Sequence, residues 1–250
     1  MEKERENDVI AGRNAVAEAL RAGRPIDRIY VRRGDRTGSV HAILRMAKEA
    51  GVAVKDVDAR KLDAMCGGEN HQGIAAVAAV HAFSETEDIF ALAESRGEPP
   101  FLIVCDEIAD PHNLGAIIRS SECAGAHGVI IPERRAAGLT PACEKAAAGA
   151  LAHLPVARVK NLNRALEELK RAGLWIVAAA LEGENALTAD LSGPLALVIG
   201  SEGEGISRLT LSLCDRRVTL PMLGKISSLN ASVAAGVLLY QVVRARGGGA

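Results

Sequence analysis

The chain has 250 residues, of which 48% are hydrophobic and 24% charged, with a formal net charge of −1. That length exceeds the usual single domain and the apolar content can fill one large core or two smaller ones, so two domains are expected. No run of about 18 apolar residues is present, which excludes a membrane-spanning helix. The opening MEKEREND has neither the apolar stretch nor the cleavage site of a secretory signal, so a cytoplasmic protein is expected.

The first eighty residues alternate helical and strand patterns: an apolar-periodic stretch from Ala15 to Leu20, the strand pattern IDRIYV, a second helical stretch from Ile43 to Ala50, then VAVKDV and GIAAVAAV. They predict a small α/β domain over residues 1–80. Arg21, Arg24, Arg28, Arg32, Arg33 and Arg36 lie in it, opposed only by Asp27 and Asp35. Such a run can follow a phosphate backbone, since counterion release rewards clustered positive charge, and it equally suits a solvated loop. The segment HAFSETEDIFALAESRGEPP, residues 81–100, turns acidic and closes on two prolines, which predicts a linker. Beyond it, FLIVCD, GVII, LWIVAAA, LALVIG and RVTL are short apolar runs with helical segments between them, the pattern of a parallel sheet covered on both faces over residues 101–250. A last helix is predicted from Ala231 to Arg244, ahead of a glycine tail.

Five cysteines, Cys66, Cys105, Cys123, Cys143 and Cys214, are odd in number and include no C-x-x-C pair, so buried thiols are expected and no metal site. Aromatic residues make up only 2% of the chain, too few for a sheet that stacks bases on exposed rings, so any RNA contact is expected to be polar.

Three loops sit directly after apolar strands, where open α/β sheets bind ligands. In the first, Asp110-Pro111-His112-Asn113-Leu114-Gly115 leads into a helix presenting Arg119; taken alone, D-P-x-N also reads as a helix-entry turn. The second is Gly200-Ser201-Glu202-Gly203-Glu204-Gly205. It fails the dinucleotide fingerprint, because Arg208 stands where the third glycine belongs. A Walker loop fails as well, since Lys225 is followed by Ile226, and Glu202 would repel a phosphate; the turn suits a cationic or hydrogen-bond-donating ligand. The third joins Leu220-Pro221-Met222 to Ser227-Ser228-Leu229-Asn230-Ala231-Ser232, where Ser and Asn also serve as an ordinary helix N-cap. No histidine or nucleophile elbow accompanies these serines, so a serine hydrolase is excluded.

In this order and spacing, D-P-H-N-L-G-A-I-I-R, I-G-S-E-G-E-G-I, and L-P-M with S-S-L-N-A-S-V-A resemble the three motifs of the SpoU family of RNA ribose methyltransferases, within the SPOUT superfamily, over about residues 101–246. A weaker resemblance, carried by Ala11-Gly12-Arg13-Asn14-Ala15-Val16 and Asn70-His71-Gln72-Gly73-Ile74, links the first domain to the RNA-binding, L30e-like domain of the 23S rRNA guanosine 2′-O-methyltransferase subgroup. The resemblance implies a parallel α/β catalytic domain with a deep trefoil knot, a homodimer, and S-adenosylmethionine as methyl donor. It implies that Gly200, Leu220 and Leu229 touch that cofactor, with Met222 and Gly205 beside them, and that Asn113, Arg119, Glu202, Ser228 and Asn230 are the catalytic set. Arg119 is expected to hold a phosphate or a developing alkoxide, because guanidinium does not readily give up a proton. Arg13, Arg24, Arg32 and Arg33 are the expected RNA contacts, with 23S rRNA or a ribosomal precursor as substrate. A tRNA or another rRNA ribose as target, including a resistance role, and a non-catalytic ribosome-assembly factor are the competing readings.

Overall fold

The computed structural model describes residues 9–35 and 38–247, so Arg36, the opening residues 1–8 and the end of the glycine tail lie outside the described residues. The chain divides into two compact units, one of residues up to Ala82 with Gly138–Pro141, the other of Phe83–Ala137 and residues from Ala142 on.

In the first unit, β1 (Val9–Ala11), α1 (Arg13–Arg21), β2 (Ile26–Arg32), α2 (Ser39–Glu49), β3 (Ala53–Val57), α3 (Ala59–Cys66) and β4 (Ile74–Ala78) form a four-stranded sheet of order β1-β4-β2-β3 with its helices. Strands β2 and β3 run parallel, and β4 lies antiparallel to both β2 and β1. Ile29, Val31, Val40, Ile43 and Ile74 form its apolar core. Strand β1 and helix α3 are additions to the predicted elements; three residues of strand are too short for period-two alternation to register. The turn into α1 favours Gly12, whose φ of +95° side-chain-bearing residues rarely adopt and where a Cβ would also sit a tight 3.3 Å from the Asn70 carbonyl.

The second unit begins inside the segment expected as a linker, where α4 (Thr86–Arg96) forms instead. Its signal was a reciprocal capping box between Glu85 and Asp88, and Ile89 and Ala93 are buried. Then come β5 (Phe101–Asp106), α5 (Pro111–Cys123), β6 (Gly128–Pro132), α6 (Pro141–Ala147), β7 (Val156–Val159), α7 (Leu162–Arg171), β8 (Trp175–Asn185), β9 (Leu195–Gly200), α8 (Arg208–Leu213), β10 (Arg216–Thr219) and α9 (Ala231–Ala245). Six strands in the order β10-β8-β9-β5-β6-β7 form one sheet, every pair parallel, as the apolar runs predict. All six residues of β5 are buried, so helices cover both faces. Leu102 and Val104 share a core cluster with Ile89 of α4 and Leu162, Leu166 and Leu169 of α7, while α5 packs on α9. Gly115 is what lets α5 approach α6, since a Cβ there would sit 2.3 Å from the Cys143 carbonyl.

The strand ends opposite the three loops are tied by polar groups. Arg246, just past α9, donates from Nη1 to Pro99 O (2.9 Å) and from Nη2 to Gly193 O (2.9 Å) and Pro100 O (3.2 Å), and lies over the Phe101 ring. His127 is fully buried; its Nδ1 accepts from Phe101 N (3.0 Å), which leaves Nε2 to donate to Glu98 (3.0 Å). Of the cysteines, Cys66, Cys105 and Cys143 are buried, and burial pushes the Cys105 thiol up to about 12, an inert group. Cys123 departs from the expectation of buried thiols: it ends α5 in solvent. Among the described residues no helix is long and apolar enough to cross a membrane.

Burial holds the His127 imidazole below its usual 6.5, and the Glu98 hydrogen bond only partly opposes this. The unfolded chain then binds a proton that the folded chain refuses, so the stability this residue contributes is full above pH 6.5 and is lost as pH falls toward the lower folded value. Thermal melts of the parent and of His127→Gln, taken from neutral pH downward, should show a steeper loss in the parent. Parallel curves would exclude this role.

Candidate active site

Because all strands of the second sheet are parallel, the ends of β5, β9 and β10 lie on one edge, and the three loops singled out in the sequence follow them. The first loop is both a helix-entry turn and part of the site: Asp110 caps α5 by accepting from His112 N (3.0 Å), Pro111 takes the first helical position, and Asn113 is buried on the first turn.

The second loop folds back on its own start. Ser201 and Gly205 exchange both backbone hydrogen bonds at 3.0 Å, and Gly203 and Gly205 have φ of +99° and +70°. A Cβ on Gly200 would lie 2.2 Å from the Gly205 carbonyl carbon, so the turn closes only over glycine. Asp106 anchors its far side. This carboxylate, 3% exposed at the end of β5, accepts from Ser207 N (2.8 Å), and Ser207 Oγ connects through Thr210 Oγ1 (2.8 Å) to Asn163 Oδ1 (3.1 Å). Asp106 was missing from the expected site residues; an aspartate ending a buried central strand was the available signal.

The third loop ends at Asn230, whose amide works in two directions. Its Oδ1 accepts from Ser232 N (2.9 Å) and Val233 N (3.2 Å), capping α9. Its Nδ2 therefore faces the other loops, donating to Asn113 Oδ1 (3.0 Å) and to Glu202 Oε1. Asn113 Nδ2 also donates to Glu202 Oε1 (3.1 Å), and Ala231 N approaches it at 3.4 Å. Residues 113, 202 and 230, distant in sequence, thus form one cluster, with one carboxylate oxygen receiving donors from both other loops.

Beside this cluster lies a cavity of about 720 Å³. Gly200, Gly205, Leu220, Met222 and Leu229, the five residues expected at the cofactor, all line it, as do Glu202, Ser228 and Asn230 of the expected catalytic set. Asn113 joins through its hydrogen bonds. Arg119 is not drawn in: two turns along α5 it is exposed, and its guanidinium has no hydrogen bond or ion pair among the described residues. Leu181 and Glu182, outside the apolar core of β8, complete one wall. Among the described residues no group of three or more His, Cys, Asp or Glu is placed to hold a metal ion.

In the first unit the basic run is divided. Arg24 lies just before β2 and Arg32 ends it, so the strand sets them roughly 20 Å apart at the usual rise. Arg13 is committed within the fold, its Nε donating to Gln72 O (2.9 Å) and its Nη2 to Asp35 Oδ2 (3.0 Å), while Arg32 lies 3.7 Å from the same carboxylate. Arg24, Arg32 and Arg33 are exposed.

Asn230→Ser should keep the α9 cap and lose only the cluster, whereas Asn230→Asp keeps the cap but sets a carboxylate against Glu202. Both are expected to bind cofactor more weakly, and Asp should melt below Ser at neutral pH by about 1–3 kcal/mol of stability. Equal melting of the two variants would remove Glu202 as the organising charge. Gly200→Ala, which breaks the turn, should lose cofactor binding outright in calorimetry.

Residues 100–240 match the SpoU rRNA Methylase family, and residues 9–84 match the family described as RNA 2′-O ribose methyltransferase substrate binding. YacO of Bacillus subtilis (strain 168), named for the TrmH family of tRNA/rRNA methyltransferases, is 45% identical over 242 residues, 96% of this chain and 97% of its own. The crystal structure of the SpoU methyltransferase AviRb from Streptomyces viridochromogenes, in complex with the cofactor AdoMet, superposes with a TM-score of 0.61 at 27% identity, covering 96% of this chain and 91% of that one. The TrmH/SpoU tRNA modifying enzyme of A. aeolicus superposes with a TM-score of 0.55 at 29% identity over 60% of this chain and 77% of its own. With its catalytic region and its first domain both matched, the chain belongs to the SpoU family of RNA methyltransferases.

Proposed function

We propose that the chain methylates a ribose 2′-hydroxyl of RNA, with a guanosine of 23S rRNA as the target and S-adenosylmethionine as the methyl donor. The observation that carries this reading is the Asn113–Glu202–Asn230 cluster at the wall of the 720 Å³ cavity. The cavity suits that donor: Leu220, Met222, Leu229 and Leu238 offer an apolar wall to a purine, and Glu182, Glu202 and Glu204 offer negative charge to a cation. When bound, S-adenosylmethionine supplies an electrophilic methyl on a sulfonium whose departure leaves a neutral thioether.

What remains for the protein is alignment of the 2′-oxygen and loss of its proton. Asn113 and Asn230 fix the Glu202 carboxylate, and the Ser227–Ser228 segment brings hydroxyls to the same wall. Arg119, unengaged and exposed on α5, is positioned by neither and is assigned to the phosphate or the developing alkoxide once RNA is present. Arg24, Arg32 and Arg33 are assigned to RNA backbone contacts of the first domain, which therefore approach it from two ends of one sheet. The reading includes the trefoil threading of the catalytic domain, a cytoplasmic location and a homodimer. For the dimer, the exposed stripe Val233, Val237 and Tyr240 on α9, at spacings of four and three, is the surface assigned to the second copy.

Transfer of labelled methyl groups to protein-free 23S rRNA, 16S rRNA and bulk tRNA, with mapping of the modified nucleotide, tests the assignment. Label is expected in 23S rRNA as a 2′-O-methyl guanosine, lost by about a hundredfold or more in Arg119→Ala and still well below parent in Arg119→Lys, as loss of one charge-stabilising donor predicts. Label in tRNA alone would move the target, and no label in any RNA despite cofactor binding would favour a non-catalytic factor. Arg32→Glu with Arg33→Glu should weaken RNA binding and leave cofactor binding intact.

A further inference from the structure

The catalytic edge carries more acid than a polyanionic substrate would tolerate unaided. Glu107, Glu202 and Glu204 lie on the loops after β5 and β9, and an RNA strand entering there meets their repulsion. Arg119 is one exposed cation available to offset it. The loop after β6 presents two more, Arg134 and Arg135, which the motifs do not include.

Arg135 is held in place rather than loose. Its Nη1 donates to Glu107 Oε1 at 2.9 Å, and the two residues both adopt left-handed backbone, with φ of +59° for Arg135 and +60° for Glu107. Two non-glycine residues in that region, on the loops after neighbouring strands β5 and β6, face each other through one ion pair. The loops are also joined through the backbone, Ala137 N donating to Ile108 O (2.8 Å). Glu204, on the cavity wall, lies within electrostatic reach of the same guanidinium. Yet the Arg135 side chain is 77% exposed, and among the described residues only Nη1 is engaged. An ion pair this exposed contributes little to stability, about 0–1 kcal/mol, which is a weak reason for a fold to hold two residues in left-handed backbone. An exposed planar guanidinium with free donors, within electrostatic reach of Glu204 on the cavity wall, is, in contrast, matched to a bidentate phosphate contact.

We propose that Arg135 binds a backbone phosphate of the RNA strand whose ribose enters the site, with Glu107 as the positioning residue that holds its guanidinium at the rim. The proposal rests on the RNA reading above and adds a contact from the catalytic domain itself. The carboxylate holds the side chain until a phosphate takes the free donors, and Arg134, exposed and without a hydrogen bond or ion pair among the described residues, adds charge.

The test is binding of protein-free 23S rRNA by the full chain across a potassium chloride series, alongside cofactor binding and methyl transfer. Arg135→Ala is expected to weaken RNA binding about tenfold, the order expected for losing a charged hydrogen-bonded contact. It should flatten the salt dependence by about one phosphate contact, with a slope change near 0.7 if the strand is single. KM for RNA should rise more than kcat falls, and cofactor affinity should stay at the parent value. Arg135→Lys should keep the salt slope and recover part of the affinity. Glu107→Gln, which keeps an acceptor for Nη1 and so the positioning while removing one negative charge, should bind RNA close to the parent. Unchanged affinity and slope in Arg135→Ala would overturn the proposal while leaving methylation by the parent intact. A loss of cofactor binding in Arg135→Ala, or an RNA defect in Glu107→Gln equal to that of Arg135→Ala, would also overturn it, by making the ion pair a structural tie. A parent that neither binds nor methylates RNA would remove the functional reading and this inference together.

Discussion

One oxygen of Glu202 receives N–H groups from both of the other loops at this edge, and the geometry of the edge follows from that convergence. Asn113 is buried and loses its amide partner if the carboxylate moves. Asn230 has no free choice of orientation, since its oxygen is consumed by the first turn of α9 and only its nitrogen is left to face inward. A buried amide without its acceptor costs on the order of 1–3 kcal/mol, so the three loops are coupled: displacing one leaves donors unpaired on the others. The cavity wall is built on these same loops.

That coupling explains which parts of the protein were readable from sequence. FLIVCD and LALVIG were legible as buried strands because a parallel sheet covered on both faces needs unbroken apolar runs, and they pair directly. VARV passed unnoticed as β7, since four residues with an arginine and a flanking proline carry no clear period. Helix α4 was hidden by acidic composition; only two of its eleven residues are buried, and its start is announced by a capping pair rather than by an apolar stripe. The residues expected at the cofactor came from the resemblance of the three loops to the SpoU motifs; the glycine turn by itself indicated only a ligand site after a strand. Hydrogen-bond partners could not be named, for which oxygen of which side chain an amide meets depends on loop closure across a hundred residues. Asp106 could be suspected as an aspartate ending an apolar run, but its partner, Ser207 N, is set by a fold-back across about a hundred residues.

The first unit teaches the converse point about charge. Six arginines close together in sequence look like one basic surface, but a seven-residue strand among them sends its ends to opposite edges of a sheet. Arg13, which motif position marks as an RNA contact, spends two of its donors on Gln72 and Asp35, joining the segments at both ends of the unit. In the second unit, Arg246 plays a similar part, its two terminal nitrogens shared among three backbone carbonyls at the start of β5 and β9. Charge in this protein is used first to close chain segments and only then to meet a partner.

The separations of 89 and 117 positions between the members of the cluster also set when it can exist. A chain emerging from its N-terminus exposes Asn113 long before Glu202, and Glu202 before Asn230 and the helix that Asn230 caps. Asn113 and Glu202 can pair once both are made, but Asn230 Nδ2 and Ala231 N reach the same carboxylate oxygen only when the third loop follows. The complete cluster is therefore a set of non-local contacts that the most C-terminal of the three loops finishes.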